Sequence, residues 1–371
     1  MDNLTHSLFG LTLARTPLGR SGRGTTVAFL LASNAPDIDI VATAGGAASY
    51  LEWHRGPTHG LLGVVGLGLV VAAIAWTSHH WWDRKTTAPA APLGRLWIVS
   101  TIAIVCHVLM DLPTSYGTRP LSPFAWTWFA EDWMPIVDIY LLAILGAGLW
   151  FGRTRANAEA SLAQDVRGRN ASVALMLMMA NYGVRAVAHH EAIAEAPQIF
   201  GAQLPTPCSN AVPPGSLIDR WPRGNTRAPG DRGEGRCLME IAALPDALSP
   251  FRWRLIAQLS TAYEVRTVNV VGGSRARSSD SRLVSVHYPN EWTPAVMKAA
   301  ESPTARVFLG FSRFPAARSV VAADGSATVR WIDLRFVVQT GPNERQRPLG
   351  LFSATIQMNP EGHIVSERLG P

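Results

Sequence analysis

The chain has 371 residues, of which 47% are hydrophobic and 16% are charged, whereas ordinary soluble domains contain about 25% charged residues. Much of it is therefore predicted to face lipid or to be deeply buried. The formal net charge of +6 comes from scattered arginines without a dense basic cluster interleaved with aromatic residues, so nucleic acid is not a predicted partner. The 3 cysteines include no CxxC motif and cannot form a disulfide framework, although Cys208 and Cys237 can pair in an oxidising compartment.

The first apolar stretch runs from Asn3 to about Ala14 and is too short to cross a membrane. It lacks the basic start and the small-residue cleavage site of a signal peptide. We therefore expect a short helix that dips into the bilayer or packs on other helices. A candidate span from Thr25 to about Ala44 follows, but the sequence NAPDID interrupts it and predicts a helix end or an unwound stretch at a buried site.

Four further apolar segments predict membrane-spanning helices. The clearest runs from Gly60 to about Thr77, holds no charged residue and has the length of a span. The others cover about 96–110, 135–151 and 171–188. Arginines and lysines concentrate in alternate loops, which predicts that those loops are cytoplasmic. The intervening outer loops and the C-terminal region are then predicted on the extracytoplasmic side.

The composition changes after about residue 189. Residues 189–234 are rich in Pro, Gly and Arg and predict a linker. Residues 235–371 contain several stretches rich in β-branched and aromatic residues, including ARVFLGFSRF at 305–314, which predict strands. Turns in VVAADGSATVRW and MNPEGHIV predict two hairpins. The predicted fold class is a multi-spanning all-α membrane domain, residues 1–188, with four or five spans and a short N-terminal helix, followed by a smaller β-rich soluble domain.

Histidine and aspartate are costly inside a membrane and therefore mark candidate functional positions. On the predicted topology, most of those in the first domain lie at the outer end of a span or in the adjoining loop. They occur in five motifs: NLTHS with His6, NAPDID with Asp37 and Asp39, HRGPTHG with His54 and His59, HVLMD with His107 and Asp111, and PIVDIY with Asp138.

The spacing of these motifs suits metal binding. His107 and Asp111 are four residues apart, so a helix places them on one face. The Gly-Pro pair in HRGPTHG can bend the loop so that its two imidazoles converge. Imidazoles and carboxylates together suit Zn, Mn or Fe, and more than four candidate ligands allow one or two divalent ions. Such an ion lowers the pKa of a water molecule to about 7 and polarises a phosphoryl or carbonyl oxygen.

Three other residues have predicted roles beside the metal. Arg55 can hold an anionic substrate oxygen, and Thr58 can hydrogen-bond a ligand or the substrate. Asp138 can be a further ligand, the partner of a ligating histidine or a general base. The structural alternatives stay open, because an isolated histidine or aspartate such as His6 or Asp138 often only bonds a neighbouring helix, and NAPDID can be a capped turn.

The motifs MDNLTHSLFG, APDID, HRGPTH and HVLMD, in this order, resemble the inner-membrane metal-dependent hydrolases, a family also described as LexA-binding, inner-membrane-associated hydrolases. The resemblance covers about residues 1–150 and implies a multi-pass protein of the bacterial inner membrane with hydrolase activity. By motif, it implies metal ligation by His6, Asp37, Asp39, His54, His59, His107 and Asp111.

The predicted function is a membrane-embedded hydrolase in which a metal-activated water attacks an ester or phosphoester. A likeness in ligand chemistry to zinc-dependent phospholipases C favours a lipid or lipid-linked substrate, and membrane lipids are the other expected partners. The alternative is a non-enzymatic membrane protein, either a metal-binding carrier or a scaffold whose β domain binds a partner. A carrier needs polar residues through the depth of the bilayer, whereas here they gather at one end.

Overall fold

A computed structural model of the chain describes residues 1–82, 89–151, 160–201, 204–209, 211–212, 218–222, 236–271, 286–338, 347–348 and 352–370. Two compact units are present: Met1–Ile40 with His54–Ala186, and Val41–Trp53 with Val187–Pro371. Residues 41–53, which the predicted division assigns to the membrane domain, group with the second unit because their helix packs against a helix of that unit.

The first half of the chain is helical, with a bend where the sequence predicts an interruption. Its α-helices are α1 (Asn3–Ala14), α2 (Thr25–Ala32), α3 (Gly46–Trp53), α4 (Leu61–Trp82), α5 (Leu93–Asp111), α6 (Ile139–Phe151) and α7 (Ala160–Phe200). Two 3₁₀-helices lie at Pro17–Ser21 and Ala35–Gly45. The short N-terminal helix is confirmed.

In the described part of the chain, 3 helices are long and apolar enough to cross a membrane: Leu61–Ser78, Leu93–Asp111 and Val166–Phe200. A fourth candidate is the pair Thr25–Ala32 and Ala35–Trp53, which is bent by 43°. The 13 residues of α6 extend about 20 Å, less than the about 30 Å of a bilayer core. The helical membrane domain is confirmed, and the predicted four or five spans become three, or four with the bent pair.

The bend after α2 follows from Pro36. Proline lacks a backbone donor and disfavours the α conformation in the residue before it, so α2 ends at Ala32 and the chain continues as a 3₁₀-helix from Ala35. The interruption predicted from NAPDID is thereby confirmed. It sets the direction of Asp37 and Asp39, both of which lie in this 3₁₀-helix.

Helix α1 packs closely on α2 at Gly10. A Cβ atom at this position would lie 2.6 Å from Ser33 Oγ and 2.9 Å from the Phe29 carbonyl oxygen, so only glycine allows this approach. One turn earlier, His6 is fully buried on the same helix. The close packing therefore brings a histidine into the interior of the helical unit.

A buried ion pair joins α6 to α7. Asp138 Oδ2 lies 2.5 Å from Arg185 Nη2, and both side chains are completely buried. Asp138 Oδ1 also accepts a hydrogen bond of 2.7 Å from the backbone N–H of Leu141, in the first turn of α6. Asp138, predicted to lie beside the metal, therefore forms an ion pair with an arginine. This pairing explains how apolar segments accommodate two ionisable residues.

The second unit contains two antiparallel sheets of four strands, in the orders β3-β4-β5-β6 and β12-β11-β8-β7. Their strands are β3 (Leu238–Pro245), β4 (Arg252–Leu259), β5 (Ala262–Asn269), β6 (Val286–Pro289), β7 (Pro315–Val321), β8 (Ala327–Asp333), β11 (Ser353–Met358) and β12 (Ile364–Leu369). The remaining strands are β1 (Trp128–Ala130), β2 (Asp219–Trp221), β9 (Val337–Val338) and β10 (Arg347–Pro348).

The turns of the second unit agree with the sequence. The hairpins β7–β8 and β11–β12 are both present, and their turn glycines, Gly325 and Gly362, have φ angles of 87° and 80° that favour glycine. Cys208 and Cys237 form a disulfide bond. The β-rich character of the domain is confirmed.

One predicted strand of this unit is wrong. ARVFLGFSRF forms most of helix α9 (Pro303–Phe311), which follows the short helix α8 (Pro294–Ala299). Ser302 caps α9 by accepting from the backbone N–H of Ala305 at 3.1 Å, and Pro303 occupies the first turn. Phe308 and Leu309 are buried at helical spacing from Ala305, so the apolar residues cover one helix face.

Replacing Asp138 with asparagine is expected to destabilise the helical unit. The change removes the carboxylate that pairs with the buried Arg185, and breaking a buried ion pair from one side costs about 3–5 kcal/mol. Thermal denaturation of the detergent-purified protein measures the loss. The double variant Asp138→Leu/Arg185→Met should recover most of the stability, since an apolar pair of similar volume replaces the ion pair.

The matched control is Asp246→Asn, which removes a carboxylate 2.6 Å from the half-exposed Arg252. It should cost much less, because water screens exposed ion pairs. Equal losses in Asp138→Asn and Asp246→Asn would show that the buried pair does not hold α6 to α7.

Candidate metal centre

The site lies where the start of α4 adjoins the end of α5. These helices pack against each other and are consecutive, with only residues 83–92 between them, so they run antiparallel. His59 stands two residues before α4, while His107 and Asp111 lie in the last turns of α5. Three potential ligands from two motifs therefore come to one end of the helical unit.

Four side chains form a compact group: Asp37, His59, His107 and Asp111, with one potential ligand atom from each within 4.8 Å of all the others. His59 Nε2, His107 Nε2 and Asp111 Oδ2 form a triangle with sides of 3.3 Å. Asp37 Oδ1 lies 3.6 Å from His107 Nε2 and 3.8 Å from His59 Nε2. We call these four residues the ligand group.

The dimensions and charge of the ligand group fit a divalent cation. Tetrahedral zinc with bonds of about 2.0–2.1 Å separates its ligand atoms by about 3.3–3.4 Å, the size of the observed triangle. Asp111 Oδ2 is buried and accepts no hydrogen bond within the described residues, which is costly unless a cation or donor meets it. The two carboxylates of the group attract such an ion, and the two neutral imidazoles complete a ligand set of nitrogen and oxygen atoms that suits zinc.

The histidines of the ligand group are held in the orientation that metal binding needs. His107 Nδ1 lies 2.8 Å from the carbonyl oxygen of Ser33, so a neutral ring donates there and leaves Nε2 facing the group. His59 Nδ1 lies 3.0 Å from Thr58 Oγ1. Burial and the neighbouring His107 lower the pKa of His59 well below its usual value, which favours the neutral imidazole that binds metals.

Asp39 lies beside the ligand group and holds the HRGPTHG loop. Its carboxylate accepts hydrogen bonds from the backbone N–H of Arg55 at 2.7 Å and from Thr58 Oγ1 at 3.1 Å. The same carboxylate lies 2.8 Å from His54 Nδ1. The structure therefore places the predicted ligands Asp39 and His54 against each other, outside the four-residue ligand group.

Arg55 points into the protein. Its backbone has a φ of 52°, a conformation uncommon for residues other than glycine. The guanidinium lies 3.0 Å from Asp111 Oδ1, donates at 3.0 Å to the Gly117 carbonyl oxygen and covers the ring of Tyr116 at 4.8 Å. Arg55, predicted to bind a substrate anion, contacts one oxygen of Asp111, whose other oxygen faces His59 and His107.

Arg119 is a buried residue of the site that lies outside all the predicted motifs. Its backbone N–H donates to the Arg55 carbonyl oxygen at 3.1 Å, and its guanidinium donates to the His54 carbonyl oxygen at 2.5 Å. The guanidinium also lies over the Trp128 ring at 4.3 Å. The signal that could have found it is a single arginine in an outer loop where arginine is otherwise rare.

His6 borders the ligand group from α1. Its ring stacks on His107 with 3.8 Å between centroids, and its Nε2 lies 3.4 Å from Asp111 Oδ1, which also contacts the amino group of Met1. Neither ring nitrogen of His6 makes a hydrogen bond within the described part of the chain. His6 is thus placed to serve as an additional ligand or as part of a second ion site.

The family model described as the YdjM inner membrane protein matches residues 1–192, slightly more than half of the chain. The chain belongs to the YdjM inner membrane protein family. The matched region contains the whole ligand group, and membership agrees with the resemblance to inner-membrane metal-dependent hydrolases.

One curated relative of this YdjM family chain is the uncharacterized protein YfhP of Bacillus subtilis (strain 168), which is 29% identical over 161 residues. That alignment covers 41% of this chain and 46% of the relative, so the chain spans about half the length of the curated relative it matches. No solved structure matches the chain.

Metal titration should separate the ligands of this YdjM family site from the residues that support them. His59→Ala removes a ligand atom and is expected to abolish stoichiometric metal binding. Asp39→Asn keeps all four members of the ligand group but weakens the hold on the loop that carries His59, so we expect an affinity loss of about 10–100-fold. Elemental analysis of detergent-purified, dialysed protein at several metal concentrations measures both.

The control is His287→Gln, which changes a histidine in β6 that lies 2.8 Å from Glu264. It should bind metal like the wild type. If Asp39→Asn lost metal as completely as His59→Ala, Asp39 would have to be a direct ligand and its supporting role would be wrong.

Proposed function

We propose that the protein is a membrane-embedded metal-dependent hydrolase that cleaves an ester or phosphoester of a lipid or lipid-linked substrate. The observation that carries the proposal is the ligand group, a buried cluster of two histidines and two aspartates with ligand separations suited to one divalent ion. Zinc fits this mixture of nitrogen and oxygen ligands best, with manganese or iron as the alternatives.

A divalent ion in this position would activate a water molecule and polarise the phosphoryl or carbonyl oxygen of the substrate. His59, His107, Asp111 and Asp37 would hold it. Arg55 keeps Asp111 Oδ1 engaged, so that Oδ2 is the oxygen directed to the two histidines.

Proton transfer is assigned to the residues that reach the surface of the site. The side chains of Asp37 and His54 are 13% and 10% exposed, whereas those of His59, His107 and Asp111 are fully buried. Asp39 fixes the ring of His54 through Nδ1, as a general base requires. His54 or Asp37 would thus exchange a proton between the site and water.

Two observations support an extracytoplasmic site. The loops that carry the ligand group are those predicted outside the cytoplasm from the distribution of arginine and lysine. The disulfide between Cys208 and Cys237 suits an oxidising compartment, which favours the same side for the second unit. Substrates linked to lipids would then reach the site from the outer leaflet.

The arrangement of polar groups favours an enzyme over a metal carrier. The ligand group lies at one end of α4 and α5, and the segment 61–77 beyond it contains no charged residue. A carrier needs a polar path through the bilayer. Metal uptake into liposomes without hydrolysis would instead support the carrier.

We expect the zinc-loaded protein in detergent to hydrolyse at least one substrate in a panel of phosphoesters, carboxylic esters and amides that includes lipids. His54→Ala should retain the metal and lower kcat by about 10²–10⁴-fold, the range of general acid–base catalysis. Asp111→Asn should lose both metal and activity, because it removes a ligand of the ion.

The His287→Gln variant again serves as the control and should keep full activity. Two results would count against the proposal: a metal-loaded wild type inactive on the whole panel, or hydrolysis that survives in Asp111→Asn. Unchanged kcat in His54→Ala would shift the proton-transfer role to Asp37.

A further inference from the structure

A cavity of about 670 Å³ opens at the end of the helical unit opposite to the ligand group. It lies between the C-terminal ends of α1 and α6, the first 3₁₀-helix and α7. Arg15, which lines it, follows His6 by nine residues, about 14 Å along a helix. The cavity is therefore separate from the candidate metal centre.

Three arginines line this cavity: Arg15, Arg20 and Arg167. None of the described residues around it is acidic. Arg15 donates a hydrogen bond of 2.6 Å to the Leu149 carbonyl oxygen, which fixes its guanidinium at the wall. Burial and the charge of Arg167 lower the pKa of Arg15.

The other walls of the cavity are apolar. Leu8 and Leu149 contribute aliphatic surface, and Trp150, with 63% of its surface exposed, stands at its edge. Tryptophan at the end of a membrane helix is typical of the headgroup region. The cavity thus combines a cationic part with an apolar part that extends between the helices.

We propose that this cavity binds an anionic phospholipid, with the arginines on the phosphate of the headgroup and one acyl chain along the apolar walls. Guanidinium groups bind phosphate oxygens through paired hydrogen bonds, and basic pockets between membrane helices suit anionic headgroups. The bound lipid would be a resident of the site, distinct from the substrate. The inference does not depend on the proposed hydrolysis.

Native mass spectrometry of the full chain in detergent tests the proposal directly. Dioleoyl phosphatidylglycerol should bind the wild type at least about tenfold more tightly than dioleoyl phosphatidylcholine. The double variant Arg15→Gln/Arg167→Gln should lose this preference. Inorganic phosphate at millimolar concentration should not displace the lipid, since the acyl chain contributes to binding; displacement would show a site for the free anion and overturn the lipid assignment.

Two further variants test the cationic and the apolar parts of the cavity separately. Arg169→Gln removes the same charge from α7, two residues from Arg167 and outside the cavity lining, and should bind phosphatidylglycerol like the wild type. Gly146→Leu adds a side chain where a Cβ meets no atom within 4 Å, so it should fold, fill the apolar part and weaken phosphatidylglycerol binding with every arginine present. Unaltered preference in Gly146→Leu and in the double variant, or an equal loss in Arg169→Gln, would overturn the proposal.

Discussion

The burial of the Asp111 carboxylate constrains most of the helical unit. A carboxylate at the end of an apolar helix with no exposed surface costs several kcal/mol unless other groups compensate its charge. Arg55 meets one oxygen, and His59 and His107 face the other. Arg55 and His59 belong to one loop, and Asp111 lies at the end of α5. The contacts of Arg55 and His59 with the charged Asp111 carboxylate therefore fix the position of this loop relative to α5.

The loop needs support of its own, since loops are generally less rigid than the helices they join. Asp39 holds its backbone and its two polar side chains from one side, and Arg119 holds two of its carbonyl oxygens from the other. Gly60 lets the Ser122 carbonyl approach to within 2.0 Å of where a Cβ would stand. These contacts tie the loop to its surroundings on two sides, as a site that held an ion with defined geometry would require.

Local sequence rules predicted which residues gather at the site better than they predicted the individual roles of those residues. The four-residue spacing of His107 and Asp111 places both on one helix face, and the break at NAPDID was readable from Pro36. Which of Asp37 and Asp39 faces the ligand group depends on the 3₁₀ geometry after the bend, and the pairing of Asp138 with Arg185 joins segments distant in sequence. Neither follows from periodicity. The strand predicted at α9 failed because the Ser302 and Pro303 start signal outweighs the β-propensity of the residues that follow.

The two ends of the helical unit carry opposite chemistry, and this asymmetry links its orientation to its proposed functions. Carboxylates and imidazoles gather at one end, while Arg15, Arg20 and Arg167 surround a cavity at the other. Arginines in short loops favour the cytoplasmic side. An anionic headgroup bound between them would strengthen that preference, because guanidinium groups attract phosphate. With the arginine end held at the cytoplasmic surface, the ligand group would lie at the opposite membrane surface. There Asp37 would meet water, and the neighbouring apolar helices would meet lipid.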